Sequence, residues 1–258
     1  MPSSPKTIVF TRPDAFPGEA LRLPGDVNWH FLHLPLIKIE PIDNEEISQS
    51  LQRRLDEFDT FIFISKNAVK YACQLLSELT EHLSKPCLAI GPATAEQLQE
   101  AGFSNIFFAP GAGGSEELLQ QDFLQAGKVN NHRFLIFRGR GGRELLAEQL
   151  RARGADVEYI ELYTRAQPQG LAEDIGKTWQ DRRPEAILVS SAEALHNLLE
   201  SSPARVREDV LSTPLVVVSE RIKNIARSLG FSAAIRVAIG YSDEECMKAL
   251  KELLEVNK

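Results

Sequence analysis

FIFISKNAV (61–69) and ILVSSAEAL (187–195) repeat one pattern, in which an apolar run ends in a small polar residue and an amphipathic segment follows. Ser65 and Ser191 are 126 residues apart (191 − 65), and the same spacing (138 − 12) separates Arg12 from Arg138, each of which follows another apolar run. Segments 91–103 and 219–231 match at a spacing of 128, which a two-residue insertion explains. The chain is therefore interpreted as two copies of one α/β unit.

Short β-branched or aromatic runs alternate with longer amphipathic segments along the chain. The predicted strands are 7–11, 29–33, 60–64, 86–90, 106–109, 133–137, 157–163, 186–190, 215–218 and 234–237. The predicted helices are 66–79, 94–101, 114–125, 143–153, 192–201, 222–229 and 243–256. This alternation is typical of βαβ crossovers and parallel sheets. We predict an α/β fold of two similar doubly wound parallel-sheet lobes, joined by a two-stranded antiparallel connector.

Two extended segments, FLHLPLIKIEP (31–41) and YIELYTRAQP (159–168), also occur at the repeat spacing, since Leu36 and Leu162 are 126 residues apart. If the first segment leaves one lobe and the second returns to it, the first lobe is discontinuous. The expected domains are 1–35 with 167–258, and 40–160, with connectors 34–41 and 158–167. Two such lobes leave a cleft where ligands commonly bind, and we expect the function there.

Composition excludes several classes of protein. The 258 residues carry a formal charge of −7, which argues against the basic surface that nucleic acids or anionic membranes require. The sequence contains no apolar stretch long enough to span a bilayer, so we expect a cytoplasmic protein without membrane contact. Neither the five histidines nor the cysteines have metal-ligand spacing, so neither a metal site nor a disulfide framework is expected. The cysteines are Cys73, Cys87 and Cys246.

Small polar residues stand where predicted strands give way to helices. They are Ser65, Thr94 (after Gly91), Ser115, Ser191 and Ser219. As N-caps, such residues accept backbone N–H groups and stabilise each helix by about 1 kcal/mol. They also lie at the carboxyl edge of a parallel sheet, where free amides bind carboxylates or phosphates. The two roles are compatible, and the number of such termini suggests a large polyanionic ligand.

The segment FRGRGGREL (137–145) is a glycine-rich turn after a strand. It is not a dinucleotide fingerprint, because Glu144 stands where the third glycine is needed, and no P-loop lysine follows. Arg138, Arg140 and Arg143 either bind carboxylates through charge-assisted hydrogen bonds or belong to a solvated basic turn.

In order and spacing, these segments resemble the uroporphyrinogen-III synthase family over nearly the whole chain. The resemblance is carried by TRP (11–13), LPL (34–36) with EP (40–41), FISKNAV (63–69), AIG (89–91) with TA (94–95), SE (115–116), RG (138–139) with GR (142–143), GADV (154–157) through YTR (163–165), SS (190–191) with Leu195, and VS (218–219) with Arg221. It implies two lobes and a cofactor-free reaction in tetrapyrrole and heme biosynthesis. In that reaction hydroxymethylbilane loses water and closes with ring D inverted through a spiro intermediate.

The resemblance also implies roles for individual residues. Tyr163 matches the tyrosine proposed to protonate the departing hydroxyl, and the alternative is a hinge tyrosine that packs and hydrogen-bonds. The implied substrate-binding residues are Arg12, Ser65, Lys66, Asn67, Thr94, Ser115, Arg138, Arg143, Ser191, Ser219 and Arg221. One departure is Ile222, which stands where some family members carry a threonine.

The expected partner is the small-molecule substrate, hydroxymethylbilane, without nucleic acid or membrane. We expect a monomer with transient contact to the preceding pathway enzyme. Two other functions remain open. One is a non-catalytic two-lobe protein that binds anionic ligands, disfavoured by the absence of a signal sequence. The other is a nucleotide-sugar-dependent transferase, disfavoured by the missing phosphate fingerprint.

Overall fold

The computed structural model of the chain describes residues 6–14, 28–42, 45–109, 114–142, 144–239 and 242–256. The chain divides into two compact units, unit 1 (Met1–Lys38 with Ala166–Lys258) and unit 2 (Ile39–Arg165). The boundaries fall within two strands, β3 (Lys38–Pro41) and β8 (Asp156–Ala166), which are neighbours in one sheet.

Unit 1 is built on a sheet whose described strands all pair in parallel. Their spatial order is β11 (Ile235–Val237), β10 (Leu215–Val217), β9 (Ala186–Val189), β1 (Lys6–Phe10) and β2 (Trp29–His33). Its described helices are α6 (Leu171–Asp181), α7 (Ala192–Glu200), α8 (Arg207–Leu211), α9 (Glu220–Ser228) and α10 (Asp243–Val256).

Unit 2 is built on a second sheet. Its described strands run in the order β3, β8, β7 (Arg133–Gly139), β4 (Thr60–Phe63), β5 (Cys87–Ala89) and β6 (Ile106–Phe108). The pairs from β8 to β6 are parallel. The described helices are α1 (Glu45–Gln52), α2 (Lys66–Leu75), α3 (Pro92–Glu100), α4 (Ser115–Leu119) and α5 (Leu145–Ala152), with 3-10 turns at Leu55–Glu57, Ser77–His82 and Asp122–Leu124.

The two sheets share one strand order when the sequence repeat is applied. Strands β9, β10 and β11 correspond to β4, β5 and β6, while β1 and β2 correspond to β7 and β8. In each sheet the direction of winding reverses between the two central strands, which are β9 and β1 in unit 1 and β4 and β7 in unit 2. The predicted pair of doubly wound parallel sheets is confirmed. Ligands of such sheets bind at the carboxyl ends of the strands that flank this reversal.

Helices cover both faces of the unit 2 sheet, so its central strands are apolar throughout. Phe61, Phe63 and Phe137 contribute to the core on one face, whereas Ile62 and Ile136 contribute to the core on the other. The rings of Phe63 and Phe137 stack with centroids 4.4 Å apart. This pair packs β4 against β7, the two strands between which the winding reverses, and holds the ends of these strands together.

Two helix extents predicted from the sequence are wrong. The helix predicted over 66–79 ends at Leu75, and the one over 114–125 ends at Leu119, each giving way to a 3-10 turn. In the second case Arg153 Nη1 donates to the carbonyls of Leu119 and Leu124, at 2.8 Å each. A side chain distant in sequence thus satisfies the Leu119 carbonyl, which a continuous helix would have paired, together with the Leu124 carbonyl. Helices α1, α6 and α8 were not predicted.

Phe137→Ala should destabilise the protein by about 3–5 kcal/mol, because it leaves a cavity at a fully buried position against Phe63. The matched control is Phe108→Ala, at a side chain 42% exposed, which should stay within about 0.5 kcal/mol of the parent. Urea denaturation followed by circular dichroism measures both. Equal losses for the two variants would contradict the assignment of Phe137 to the central core.

Candidate active site

The central strands of unit 2 end close to two of the predicted site residues. Ser65 follows β4 and is the N-cap of α2, in extended conformation. Across the sheet, β7 ends at Gly139, and the register of β7 with β8 changes by one residue between Arg138 and Gly139. Arg138 lies opposite Glu161, but Gly139 lies opposite Tyr163. This irregularity re-aims the end of β8, as β-bulges do, and places Tyr163 beside the end of β7.

Tyr163 is enclosed by its neighbours and is only 1% exposed. A Cβ added to Gly139 would lie 2.5 Å from Cε2 of its ring, so only glycine permits this contact. The ring of Tyr71 lies 5.8 Å away, centroid to centroid, and its hydroxyl donates to the carbonyl of Ile39. The hydroxyl of Tyr163 reaches Ser65 Oγ at 2.8 Å. The structure thus brings together two residues that are 98 positions apart in the sequence.

Arg138 makes three hydrogen bonds within the glycine-rich turn. It is 3% exposed and donates to the carbonyls of Gly139 and Gly142 and, at 2.8 Å, to Glu144 Oε1. Its guanidinium carbon lies 4.6 Å from the centre of the Tyr159 ring, a cation–π distance. Arg138 therefore braces the turn that follows β7.

The other partners of Arg138 are coupled to each other. Tyr159 donates a hydrogen bond to Glu144, and this bond, followed by the one from Arg138, lowers the pKa of the Glu144 carboxyl. Burial, followed by the same bond to Glu144, raises the pKa of the Tyr159 phenol. Glu144 is thus held ionised between a guanidinium and a phenol that keeps its proton.

The N-termini of α2 and α3 have no acidic residue in their first turns. Acidic residues normally offset the positive end of the helix dipole, and their absence leaves these ends attractive to anions. Lys66 adds an exposed ammonium to the first turn of α2, beside the half-buried Asn67, and no described residue pairs with it. At α3 the N-cap is Gly91, which has no side chain to occupy the terminal amides.

Thr94 lies in the first turn of α3 and is 4% exposed. Its backbone N–H donates to the Gly91 carbonyl at 3.1 Å. Its hydroxyl has no hydrogen-bond partner among the residues that the structure describes. The oxygen is not among the described side-chain atoms that are both fully enclosed and unpaired, so it keeps an accessible surface and is available to a ligand.

Two other predicted residues of unit 2 stand apart from these. Ser115 is the first residue of α4 rather than its N-cap, which is Gly114 at φ +139°. Glu116 and Glu117 follow in the first turn, so this terminus has a different charge from those of α2 and α3. Arg143 lies outside the described residues.

In unit 1, Ser191 and Ser219 repeat the geometry of Ser65. Each is an extended N-cap whose hydroxyl accepts a backbone N–H, from Ala194 at 3.1 Å and Ile222 at 3.3 Å. Both helices carry an acidic residue in the first turn, Glu193 in α7 and Glu220 in α9. Next to Glu220, Arg221 is exposed.

Arg12 follows β1 and is tied to the start of α10. Its Nη1 donates to Asp243 Oδ1 at 2.6 Å, and its Nη2 to Cys246 Sγ at 3.3 Å. Burial raises the pKa of the Cys246 thiol, which stays protonated beside the guanidinium. The neighbouring Thr11 donates to the Leu188 carbonyl at 2.7 Å and ties the ends of β1 and β9 together.

Reasoning from the sequence missed several residues that build these arrangements. Gly139 is required by its contact with Tyr163, and Glu144 and Tyr159 hold Arg138. A glycine directly after a strand is a detectable signal for close packing, but which ring approaches it is decided by strand pairing. The partners of Arg12 on α10 have no signal near Arg12 in the sequence.

Neither metal-binding clusters nor membrane-spanning helices are found in the described part of the chain. Within those ranges, no three histidine, cysteine, aspartate or glutamate side chains are grouped so that they could bind a metal ion. No helix there has both the length and the apolar character required to cross a bilayer.

Comparison with known proteins assigns this architecture. The family profile described as uroporphyrinogen-III synthase HemD matches residues 26–245. The chain belongs to the uroporphyrinogen-III synthase family. It is 34% identical over 253 residues to the uroporphyrinogen-III synthase of Escherichia coli (strain K12), with 95% of this chain and 100% of the relative covered. The Salmonella typhimurium synthase is 35% identical over 254 residues, at the same coverage. The chain is thus a cyclising lyase of tetrapyrrole and heme biosynthesis, and the binding-protein and transferase alternatives are not favoured.

Solved structures of the family share the fold. The uroporphyrinogen-III synthetase of Helicobacter pylori 26695 matches with a TM-score of 0.67 at 16% identity, covering 96% of this chain and 99% of that one. A mutant uroporphyrinogen III synthase from the extremely thermophilic bacterium Thermus thermophilus matches with a TM-score of 0.62 at 18% identity, covering 97% and 99%. The α/β architecture of the synthase family is therefore retained at low identity.

Gly139→Ala should lower both stability and the rate of cyclisation, because the new methyl group overlaps the Tyr163 ring. Overpacking of this kind typically destabilises by about 1–3 kcal/mol. In a Tyr163→Leu background the same substitution should destabilise less, since the ring that it strikes is gone. A double-mutant cycle of urea unfolding free energies tests this coupling. Strictly additive losses would mean that the Gly139 contact with Tyr163 has no energetic role.

Proposed function

We propose that helix N-termini at the carboxyl edges of the two sheets bind the carboxylates of hydroxymethylbilane, and that Tyr163 is the source of the proton that releases its hydroxyl as water. One observation in unit 2 carries this proposal. The N-termini of α2 and α3 lack acidic residues, and the ammonium of Lys66 and the Thr94 hydroxyl, which bonds to no described residue, lie in their first turns. The substrate bears eight carboxylates, whereas the protein has a net charge of −7. Local donors must therefore offset the overall repulsion between them.

In unit 2 the proposed carboxylate ligands are of three kinds. Lys66 supplies a point charge, Asn67 and Thr94 supply neutral donors, and the first turns of α2 and α3 supply backbone N–H groups. A carboxylate at a helix N-terminus gains from aligned amides and from the dipole at once. The lack of acidic residues in these two turns supports this assignment. Ser115 belongs to a more acidic terminus and is proposed as a weaker donor.

In unit 1 we propose that arginine side chains contribute more to carboxylate binding than the helix N-termini do. Glu193 and Glu220 reduce the positive potential at the termini capped by Ser191 and Ser219. We propose that Arg221 and Arg12 compensate there, because a guanidinium forms charge-assisted hydrogen bonds to carboxylates. Asp243 fixes the Arg12 side chain in place and limits the entropy lost when a carboxylate binds.

The glycine-rich turn has a separate role in the proposal. Arg138 is predicted to bind substrate, and three of its N–H groups donate to Gly139, Gly142 and Glu144. We propose that it acts by holding the turn in shape, while Arg143 reaches the substrate. The buried guanidinium, stacked on Tyr159, supports a positioning role.

The chemistry begins with loss of the substrate's terminal hydroxyl. Protonation of the departing oxygen lets it leave as water, and the resulting azafulvene is attacked by the substituted carbon of ring D. The spiro intermediate then rearranges, and the macrocycle closes with ring D inverted. Hydroxymethylbilane also closes spontaneously without inversion, so the protein must hold the two ends in the geometry that favours the hindered carbon.

We further propose that the functional domains are 1–35 with 167–258, and 40–160, and that the protein acts in the cytoplasm as a monomer with transient contact to the preceding enzyme of the pathway. The separate contact clusters of the two units support the domain division. Three free cysteines support a reducing compartment. Light scattering of the purified protein tests the monomer.

The decisive assay supplies hydroxymethylbilane and separates the porphyrin isomers by chromatography after oxidation. The expected product is the type III isomer, formed above the type I background that arises spontaneously. Type I alone, from folded protein, would reject the proposed reaction.

Thr94→Val should raise KM roughly tenfold, which corresponds to about 1.4 kcal/mol, while leaving the melting temperature near that of the parent. The reason is that the hydroxyl bonds to no described residue, so its removal breaks no contact within the fold. Thr213→Val is the matched control, because this buried hydroxyl accepts from Trp179 and donates to Asp209. The control should lower the melting temperature and leave KM unchanged. A Thr94→Val enzyme with the parent KM would remove Thr94 from the binding site.

A further inference from the structure

We infer that Ser65 is the residue that delivers the proton to the departing hydroxyl, and that Tyr163 acts through it in a two-hydroxyl relay. This inference rests on the proposed function and assigns the last step of its proton transfer. Ser65 then has a catalytic role in addition to capping α2.

Access of the substrate to the Tyr163 phenol is restricted. Tyr163 is 1% exposed, with Gly139 against one part of its ring and Tyr71 nearby. A general acid must come within hydrogen-bond reach of the atom that it protonates. Such a small exposed surface leaves little room for a substrate oxygen to meet the phenol directly. Ser65 is only half-buried and stands where β4 gives way to α2.

The hydrogen-bonding capacity of the two hydroxyls limits how they can share a proton. A serine hydroxyl donates one hydrogen bond and accepts two. Ser65 Oγ already accepts the N–H of Ala68 at 3.0 Å. Its 2.8 Å contact with Tyr163 Oη leaves two possible directions for the shared proton.

The two directions differ in how many acceptor sites the described residues fill. If Ser65 donated to Tyr163, the phenol proton would need another acceptor, and the described part of the chain offers none. If Tyr163 donates to Ser65, both acceptor sites of Ser65 are filled, one by each donor. The Ser65 proton must then point to a third group, and the departing oxygen of the substrate is an acceptor of the required kind.

The electrostatic surroundings of Ser65 favour the release of its proton. Ser65 lies at the N-terminal end of α2, where the helix dipole is positive and no acidic residue is present in the first turn. A positive potential stabilises the negative charge that develops on the serine oxygen as it releases its proton. The exposed ammonium of Lys66 acts in the same direction.

The relay conserves atoms and charge. The carbon–oxygen bond of the hydroxymethyl group breaks with its electron pair on oxygen, which takes the Ser65 proton and leaves as water. Ser65 takes the proton of Tyr163. The substrate loses a proton as the macrocycle forms, and this proton returns through the Ser65 hydroxyl to Tyr163, so product and water together have the composition of the substrate.

Ser65→Ala, Tyr163→Phe and the double variant test the relay under saturating hydroxymethylbilane, with type III product as the readout. Each single substitution should lower kcat by about 10²-fold, the lower range for general acid catalysis. The double variant should be no slower than the slower single variant, because residues that act as one unit lose their effect together. The wild type should give a curved dependence of kcat on deuterium content, the sign of two protons in transfer, and Ser65→Ala should abolish the curvature.

Two further variants separate the relay from helix capping. Ser65→Thr keeps the hydroxyl and should retain most of kcat. Ser65→Asn caps a helix as well as serine does but has no proton to give at neutral pH, so it should keep the parent melting temperature and show the loss in kcat. Ser242→Ala is the matched control, since this serine caps α10 through Glu245. It should lower the melting temperature without changing kcat.

Several results would overturn the relay. One is a parent-like kcat in Ser65→Asn or Ser65→Ala, which would make Tyr163 the direct donor. Another is a double variant whose loss is the product of the two single losses, which would mean independent roles. A wild type that forms only the type I isomer would instead reject the reaction itself, so the two failures are distinguishable.

Discussion

The parallel strands β4, β5, β9 and β10 each pass into a helix whose first N–H groups have no partner within the helix. At three described strand ends a serine satisfies one of these groups, and its hydroxyl accepts a backbone N–H of the first turn at 3.0–3.3 Å. The remaining amides point away from the sheet at its carboxyl edge. The requirement that stabilises the fold thus also leaves amides at the positions where we propose that carboxylates of the substrate bind.

The proposed proton source depends on the same strand ends. The β7 register shift brings Tyr163 opposite Gly139, and the absence of a side chain on Gly139 lets the ring reach Ser65. Stacking of Phe63 on Phe137 holds β4 and β7 side by side below this point. Core packing, strand register and one glycine therefore cooperate to place two hydroxyls at hydrogen-bond distance. The cap and the proposed relay share one oxygen atom, so stability and catalysis are linked at Ser65.

The two units use one topology with different electrostatics. The termini of α2 and α3 lack acidic residues, whereas α7 and α9 carry Glu193 and Glu220. Duplication accounts for the shared strand order, and divergence accounts for the charges. A long substrate with carboxylates along its length does not need equal affinity at every position. We propose that the two units therefore differ in how strongly they bind carboxylates.

The sequence alone determined the two-copy organisation, because a repeat spacing of 126 residues and runs of β-branched and aromatic residues are local features that survive without coordinates. It also located the caps Ser65, Ser191 and Ser219, since a small polar residue after a strand has a local physical reason, but at Thr94 and Ser115 the preceding Gly91 and Gly114 are the caps. The tertiary structure decided the rest. Strand register and packing decide that Arg138 stabilises a turn, that Arg153 ends a helix, and that Tyr163 contacts Ser65, 98 residues away. These contacts join distant segments, so no periodic pattern in the sequence indicates them.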